Sequence, residues 1–346
     1  MEKLERLTAN TEEVVTIEEL KTALNKANPK AYIGFEPSGV VHLGWKICTN
    51  KINDFLSCGF DFTVLLADWH AFINDKLGGD IEKIKLCGKY MEDCFAAMGV
   101  DTNKVRFVYA SDYVNDIKYW ELVLKTSKAL SFARVKRAMD TMGRGEEEAE
   151  KDLSKLFYPV MQVSDIFYLQ LDVAYGGTDQ RHAHMLARDV AKKIGRTAPV
   201  AIHTPLLTGL QAGGRMNPTE AKMSKSKPET MISIHDSPET VKKKLSKAYC
   251  PEKQIEGNPV LDICKLVIFP DLDGKSFLIE RPEKFGGNLE FASYEALANA
   301  FTVGLHPLDL KNATANHINK LLAPIQIYFE MHPENYNKMK NLGIIQ

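Results

Sequence analysis

The sequence predicts an α/β protein: a doubly wound parallel sheet with a helical insertion, followed by a mainly α-helical C-terminal domain. Three observations predict it. Short runs such as Asp61–Ala67 are almost continuously apolar, as strands covered on both faces are. Those runs alternate with segments whose apolar residues recur at helical spacing, which is the signature of parallel strands joined by crossover helices. Past about residue 234 the strand signals give way to helical ones.

The elements follow in order. Thr16 and Glu19 form a capping box that starts a helix, which Asn28-Pro29 stops. Lys30–Glu36 reads as a buried strand, Pro37-Ser38-Gly39 breaks it, and a helix is expected from near His42. Asp61–Ala67 is the second strand, with Asp68-Trp69-His70 at its end. Ile81, Ile84, Met91, Phe95 and Met98 mark a helix, and Lys104–Ala110 a third strand. From about 113 to 157 a helical stretch interrupts the sheet, basic around Arg134, Lys136 and Arg137 and acidic at Glu146–Glu148. Helix Tyr158–Gln170, strand Leu171–Tyr175, helix Asp179–Lys193 and strand Ala198–Leu207 resume the alternation. The loop Thr208–Pro228 holds Lys222-Met223-Ser224-Lys225-Ser226. Ser237-Pro238 then starts a helix as N-cap and first residue. Helices near Pro259–Phe269, Ser293–Phe301 and Lys311–Met331 follow, with a hairpin around Ser276–Leu289. We place the domains at 1–234 and 235–346.

The chain has 346 residues, 45% hydrophobic and 26% charged, with a formal net charge of -1. That is enough for two domains, and it gives no global basic field to announce a nucleic acid. Six scattered cysteines without a CxxC pair fit neither a zinc site nor a disulfide framework and suit a reducing cytoplasm. No apolar run is long enough to span a bilayer.

Two stretches carry the chemistry. The first strand runs into a turn containing His42-Leu43-Gly44, where a helix start offers backbone N–H groups to an anion and glycine permits close approach. This is not GxGxxG, and no ribose-binding acid follows, so a dinucleotide is not expected. The 222–226 loop, basic and hydroxyl-bearing, suits a polyphosphate, although alone it also reads as a polar linker. Together the two resemble the HIGH and KMSKS signatures of class I aminoacyl-tRNA synthetases. Tyr32-Ile33-Gly34-Phe35-Glu36, Tyr158 to Asp165, Gly176 to Arg181 and His306-Pro307-Leu308-Asp309 narrow the resemblance to the tyrosyl-tRNA synthetase family of archaeal and eukaryotic type, over about residues 10–330.

The resemblance implies a Rossmann catalytic core that activates L-tyrosine with ATP to tyrosyl-adenylate and passes it to tRNA(Tyr). Tyr32 and Asp165 would meet the phenol, and Tyr158, Gln162 and Gln180 the α-amino group. Spacing supports part of this, since positions 158, 162 and 165 share one helix face. His70 matches a pocket position, or is a structural histidine. Gly34 and Gly44 would leave room for the nucleotide. His42, Lys222 and Lys225 would be catalytic, with Met223 and Ser224 in the same ATP loop. Mg²⁺ would ride on the ATP phosphates, with no metal site in the protein. Arg137 and Arg181 resemble acceptor-stem contacts, or are a solvated face. Phe285, His306 and Asp309 match anticodon-reading positions; a core phenylalanine and an N-cap aspartate are the alternatives. The insertion would form a homodimer interface. Trp45 departs from the family's second signature histidine, and Lys225 stands where many members carry serine. His182 and His184 lie two apart on a helix, so they diverge; we expect surface positions rather than a metal site. Cys87 and Cys94 share a helix face as core thiols.

Overall fold

The computed structural model describes residues 2–141, 152–211, 222–223 and 228–345, so Ser224, Lys225, Ser226 and the Glu146–Glu148 run lie outside the described residues. Two compact units divide the chain. The first comprises Met1–Gly39, Lys51–Pro205 and Asn335–Gln346; the second comprises Val40–Asn50 and Leu206–Glu334.

The first unit is built on a six-stranded sheet. Its strands are β1 (Glu13–Val15), β2 (Lys30–Phe35), β3 (Asp61–Leu66), β4 (Val105–Tyr109), β5 (Val173–Gly177) and β6 (Val200–Thr204), in the order β1-β6-β5-β2-β3-β4. All neighbours are parallel except the edge pair β1–β6. The chain winds outward from β2 through β3 to β4, then returns to lay β5 on the other side of β2. That reversal is the topological switch point, where such sheets bind ligands beyond the strands' C-terminal ends. Here β2 and β5 pair only at Ala31↔Val173 and Tyr32↔Ala174. Beyond Tyr32 the two strands are no longer paired. Parallel strands with both faces covered need side chains that pack on each side, and Phe62, Val64, Ala174 and Ile202 are wholly buried. Phe55 packs its ring against Phe60, Phe62 and Tyr175 at 5.1–5.9 Å.

Local signals behave as their chemistry requires. Thr16 Oγ1 accepts from the Glu19 amide and Glu19 Oε2 from the Thr16 amide, closing the capping box. Cys87 and Cys94 are wholly buried. Two expectations shift. The helix after β2 spans Trp45–Ser57, so His42 precedes it. His70 lies in a helix of its own, Asp68–Ile73, after β3 has ended.

In the second unit, Ser237 caps the helix Pro238–Ser246, with Pro238 at the first position. The hairpin is β7 (Phe277–Ile279) against β8 (Leu289–Phe291). The longest helix is Pro307–Met331. Its cap is His306, whose Nδ1 accepts from the Leu308 amide, so Asp309 sits in the first turn and is not the cap.

Candidate active site

The first unit gathers a polar pocket at the switch point. Tyr32 reaches it from β2. The helix Phe157–Tyr168 brings Tyr158, Gln162 and Asp165 on one face, as the spacing of four and three requires. Asp165 has no exposed surface. Its Oδ1 accepts from the Tyr113 hydroxyl at 2.8 Å and the Tyr119 hydroxyl at 2.9 Å. Its Oδ2 lies 3.0 Å from His70 Nε2 but without the alignment a hydrogen bond needs, so Oδ2 is a buried acceptor without a partner. Tyr158 sets its ring edge-on to His70, with centroids 4.9 Å apart. Burial, reinforced by the Asp165 charge and opposed by a hydrogen bond from Gln162, pushes the Tyr32 phenol far above its ordinary value, so it stays a donor.

A second polar end lies around Gln180, in the turn after β5. Gln162 Nε2 donates to Gln180 Oε1 at 3.0 Å, and Gln162 Oε1 is buried without a partner. Gly176 makes this packing possible: a Cβ there would stand 2.9 Å from Gln180 Cβ and 3.3 Å from the His184 ring. A buried, neutral-looking acceptor beside a glutamine amide suits an ammonium group, while the acceptor-rich Asp165 end suits a hydroxyl donor.

His184 corrects the sequence reading. It is 1% exposed, and its Nδ1 meets His203 Nε2 at 2.9 Å. His203 Nδ1 in turn faces Glu13 Oε1 at 2.9 Å, and Arg181 Nε reaches the same oxygen at 2.5 Å. Glu13 is opposite His203 in the β1–β6 register, which explains the contact. Burial and then its histidine neighbour hold His184 well below the ordinary histidine value; burial also lowers His203, against the pull of Glu13. Among the described residues no group of three His, Cys, Asp or Glu side chains could hold a metal. The charges of Arg181 and Arg137 both depress His182, after burial, so these two arginines share one neighbourhood.

The second unit contains the two signature stretches. The turn at His42 is zipped onto residues 232–234: Leu43 N donates to Ile232 O at 2.8 Å, Ile234 N donates to Val41 O at 3.2 Å, and His42 bridges Ser233. The Gly44 amide donates to His42 Nδ1 at 3.2 Å, and a Cβ on Gly44 would lie 2.9 Å from that ring. Glycine is therefore required for the ring's placement. Leu207 joins the motifs. Its Cβ lies 3.5 Å from where the Gly44 Cβ would be, and its carbonyl accepts from the Met223 amide at 2.6 Å. Met223 is buried and Lys222 half-buried, which aligns the start of the loop beside the turn. Trp45 is 8% exposed.

Farther along the same unit, Phe285 is 61% exposed on the turn that ends at Gly286 and Gly287, both with positive φ. It is therefore not a core residue. Arg281 ties this turn to Asp309: its Nε donates to Gly287 O at 3.0 Å and its guanidinium lies 3.9 Å from the Asp309 carboxylate. Sequence reasoning missed Tyr113, Tyr119 and His203. No periodicity links them to the helix they serve.

Comparison with known proteins identifies the family and fold of the chain. Residues 24–323 match the family model described as tRNA synthetases class I (W and Y). A relative from Sulfolobus acidocaldarius named tyrosine–tRNA ligase is 56% identical over 337 residues, spanning 94% of this chain and 93% of the relative. The solved tyrosyl-tRNA synthetase of Aeropyrum pernix superposes with a TM-score of 0.88 at 46% identity, covering 99% of this chain and 98% of that one. That of Pyrococcus horikoshii, complexed with L-tyrosine, gives 0.90 at 41% identity, covering 99% and 100%. A tryptophanyl-tRNA synthetase from Aeropyrum pernix shares the fold at 19% identity and a TM-score of 0.70, over 95% of this chain and 84% of that one.

The histidine pair predicts a pH dependence of stability. Both folded values lie below the ordinary one, so the contribution is complete above about pH 6.5. It is lost as pH falls, because the unfolded chain takes up protons that the folded chain refuses. The unfolding midpoint is expected to drop between about pH 7 and about pH 5, less steeply in a His184→Gln, His203→Gln variant; thermal unfolding across pH checks it.

Proposed function

This chain belongs to the class I tRNA synthetases of the tryptophan and tyrosine branch, and on that premise we propose that its substrates are L-tyrosine, ATP and tRNA(Tyr). It is a tyrosine–tRNA ligase, forming tyrosyl-adenylate and pyrophosphate and then charging the terminal adenosine of the tRNA. The observation that carries the choice of amino acid is Asp165, a wholly buried carboxylate with one unpartnered oxygen beside the Tyr32 hydroxyl's pocket. Binding phenylalanine there would leave a buried charged acceptor unpaired, which is costly. The apolar nitrogen-bearing ring of tryptophan offers a donor of different reach.

In this reading, Tyr32 and Asp165 take the phenol, with His70 beside them. Gln162 Oε1, Gln180 and Tyr158 take the α-ammonium group. The substrate's own carboxylate attacks the α-phosphate, and the bond to the leaving pyrophosphate breaks, so no protein nucleophile is needed. What the chain supplies is position and positive charge. Gly34 and Gly44 leave room for the nucleotide. His42, Lys222 and Lys225, with the Met223 and Ser224 backbone, steady the phosphates. ATP is taken up as its magnesium complex, the metal held by phosphate oxygens and water rather than by protein ligands.

Arg137 and Arg181 serve the acceptor stem, and Phe285, His306 and Asp309 the anticodon. The exposure of Phe285 suits stacking on an unpaired base, and Asp309 offers an acceptor to a guanine edge. We assign residues 1–234 to catalysis and 235–346 to anticodon reading. This functional division crosses the compact units, because the 206–234 segment and the His42 turn belong to the second. The insertion presents Ile117, Trp120, Leu124, Phe132, Leu153 and Phe157 to solvent, an apolar group that supports a homodimer built on this face. No helix among the described residues is long and apolar enough to cross a membrane, and all six cysteines are free thiols, which supports a cytoplasmic setting.

Pyrophosphate exchange is expected with tyrosine and not with tryptophan; the reverse would refute the assignment. A Lys222→Ala, Lys225→Ala variant should lose exchange by at least about a hundredfold while retaining tyrosine binding by calorimetry. Replacing Phe285 and Asp309 with alanine should leave exchange intact and weaken tRNA charging at least about tenfold. Leu124→Glu with Trp120→Glu should convert a dimer to a monomer by light scattering.

A further inference from the structure

The Asp165 end of the pocket holds more donors than phenol recognition requires. A carboxylate oxygen has two lone pairs, and the two on Oδ1 are matched by the Tyr113 and Tyr119 hydroxyls. Neither tyrosine is idle packing. Tyr113 stacks on Tyr168 with centroids 5.0 Å apart, and Tyr119 meets Tyr168 edge-on at 5.5 Å. Tyr168 is itself anchored by its hydroxyl, which donates to Asp116 Oδ2 at 2.9 Å. Asp116 is the N-cap of the helix Ile117–Ala129 that carries Tyr119. Both hydroxyls are thus aimed by a closed set of contacts.

We propose that Tyr113 and Tyr119 are specificity-determining residues of the activation reaction: they fill Oδ1, fix the orientation of the Asp165 carboxyl group, and leave Oδ2 as the acceptor for the substrate's phenolic hydrogen. This rests on the reading of Asp165 as the partner of the phenol. The physical argument concerns the alternative. A carboxyl group without those two hydroxyls can turn about its bond to other donors, so Oδ2 is no longer held toward the phenol. Two tyrosines that fix its orientation therefore keep one buried acceptor that only the substrate's hydroxyl satisfies, and phenylalanine, which leaves it unpaired, is penalised. Burial first, then the Asp165 charge, raises both phenols far above their ordinary value, so they remain protonated donors at any working pH.

The test uses the full-length protein and pyrophosphate exchange with tyrosine and with phenylalanine. Tyr113→Phe and Tyr119→Phe each remove one hydroxyl and keep the ring. Each is expected to lower the ratio of kcat/KM for tyrosine over phenylalanine by about tenfold, and the double variant by more. The loss should appear in the KM for tyrosine, with the KM for ATP unchanged. The titratable groups facing the carboxylate are Tyr32 from β2, His70 from the Asp68–Ile73 helix, and the two tyrosines themselves. Asp165→Asn separates the layers of the argument. If it loses discrimination while the double variant keeps it, the proposal is overturned and the role of Asp165 stands. If Asp165→Asn also keeps discrimination, the reading of the pocket fails. Should the double variant fold poorly by circular dichroism, the single variants decide on the same criteria.

Discussion

A carboxylate with no contact to water is the constraint around which the first unit is arranged. Asp165 is tolerable only because donors converge on it from separate parts of the chain. One hydroxyl comes from just before the inserted helix and one from within it. Tyr32 approaches from β2, and His70, from the helix Asp68–Ile73, lies beside the carboxylate without an aligned hydrogen bond. The Tyr113–Tyr119–Tyr168 ring cluster packs around the two hydroxyls that donate to Asp165.

The turn at His42 is held by different physics. There the second unit uses main chain rather than buried charge. Residues 41–43 are laced to 232–234, and Leu207 holds Met223 through its carbonyl. This makes the turn and the loop one structural object although about 180 residues separate them in sequence. Backbone placement of this kind orients donors without desolvating a fixed negative charge. Lys222 is half-buried at the start of the loop, and Met223 beside it is buried. Trp45 is largely buried beside the turn.

Much of this was legible in the sequence, for reasons that can be named. Parallel strands announce themselves by unbroken apolar runs, so β2, β3, β4, β5 and β6 were all anticipated. Helical periodicity was enough to put Tyr158, Gln162 and Asp165 on one face. The three-residue β1 was not foreseen, because a short antiparallel edge strand carries almost no pattern. Tyr113 and Tyr119 reach Asp165 across 52 and 46 residues, and no local rule speaks to such pairs. His184 was misjudged for a related reason. The two-residue spacing from His182 does exclude a shared ligand, but burial of His184 is decided by His203 on a strand that sequence spacing does not connect to it. At the longest helix the mistake was chemical: an aspartate is the usual cap, yet a histidine nitrogen is an equally good acceptor and lies three residues earlier.

The order Tyr119-Trp120 has a wider implication. On one helix, adjacent residues face opposite environments: one donates to the buried Asp165 carboxylate, the other lies on the exposed apolar face. The two rings are in contact, with centroids 5.8 Å apart. Evolution, or an engineer enlarging the pocket for a bulkier amino acid, cannot move this helix without disturbing that outer face. The carboxyl at Asp165 and the exposed apolar face are thus mechanically tied, and a change that shifts one is expected to need a compensating change at the other.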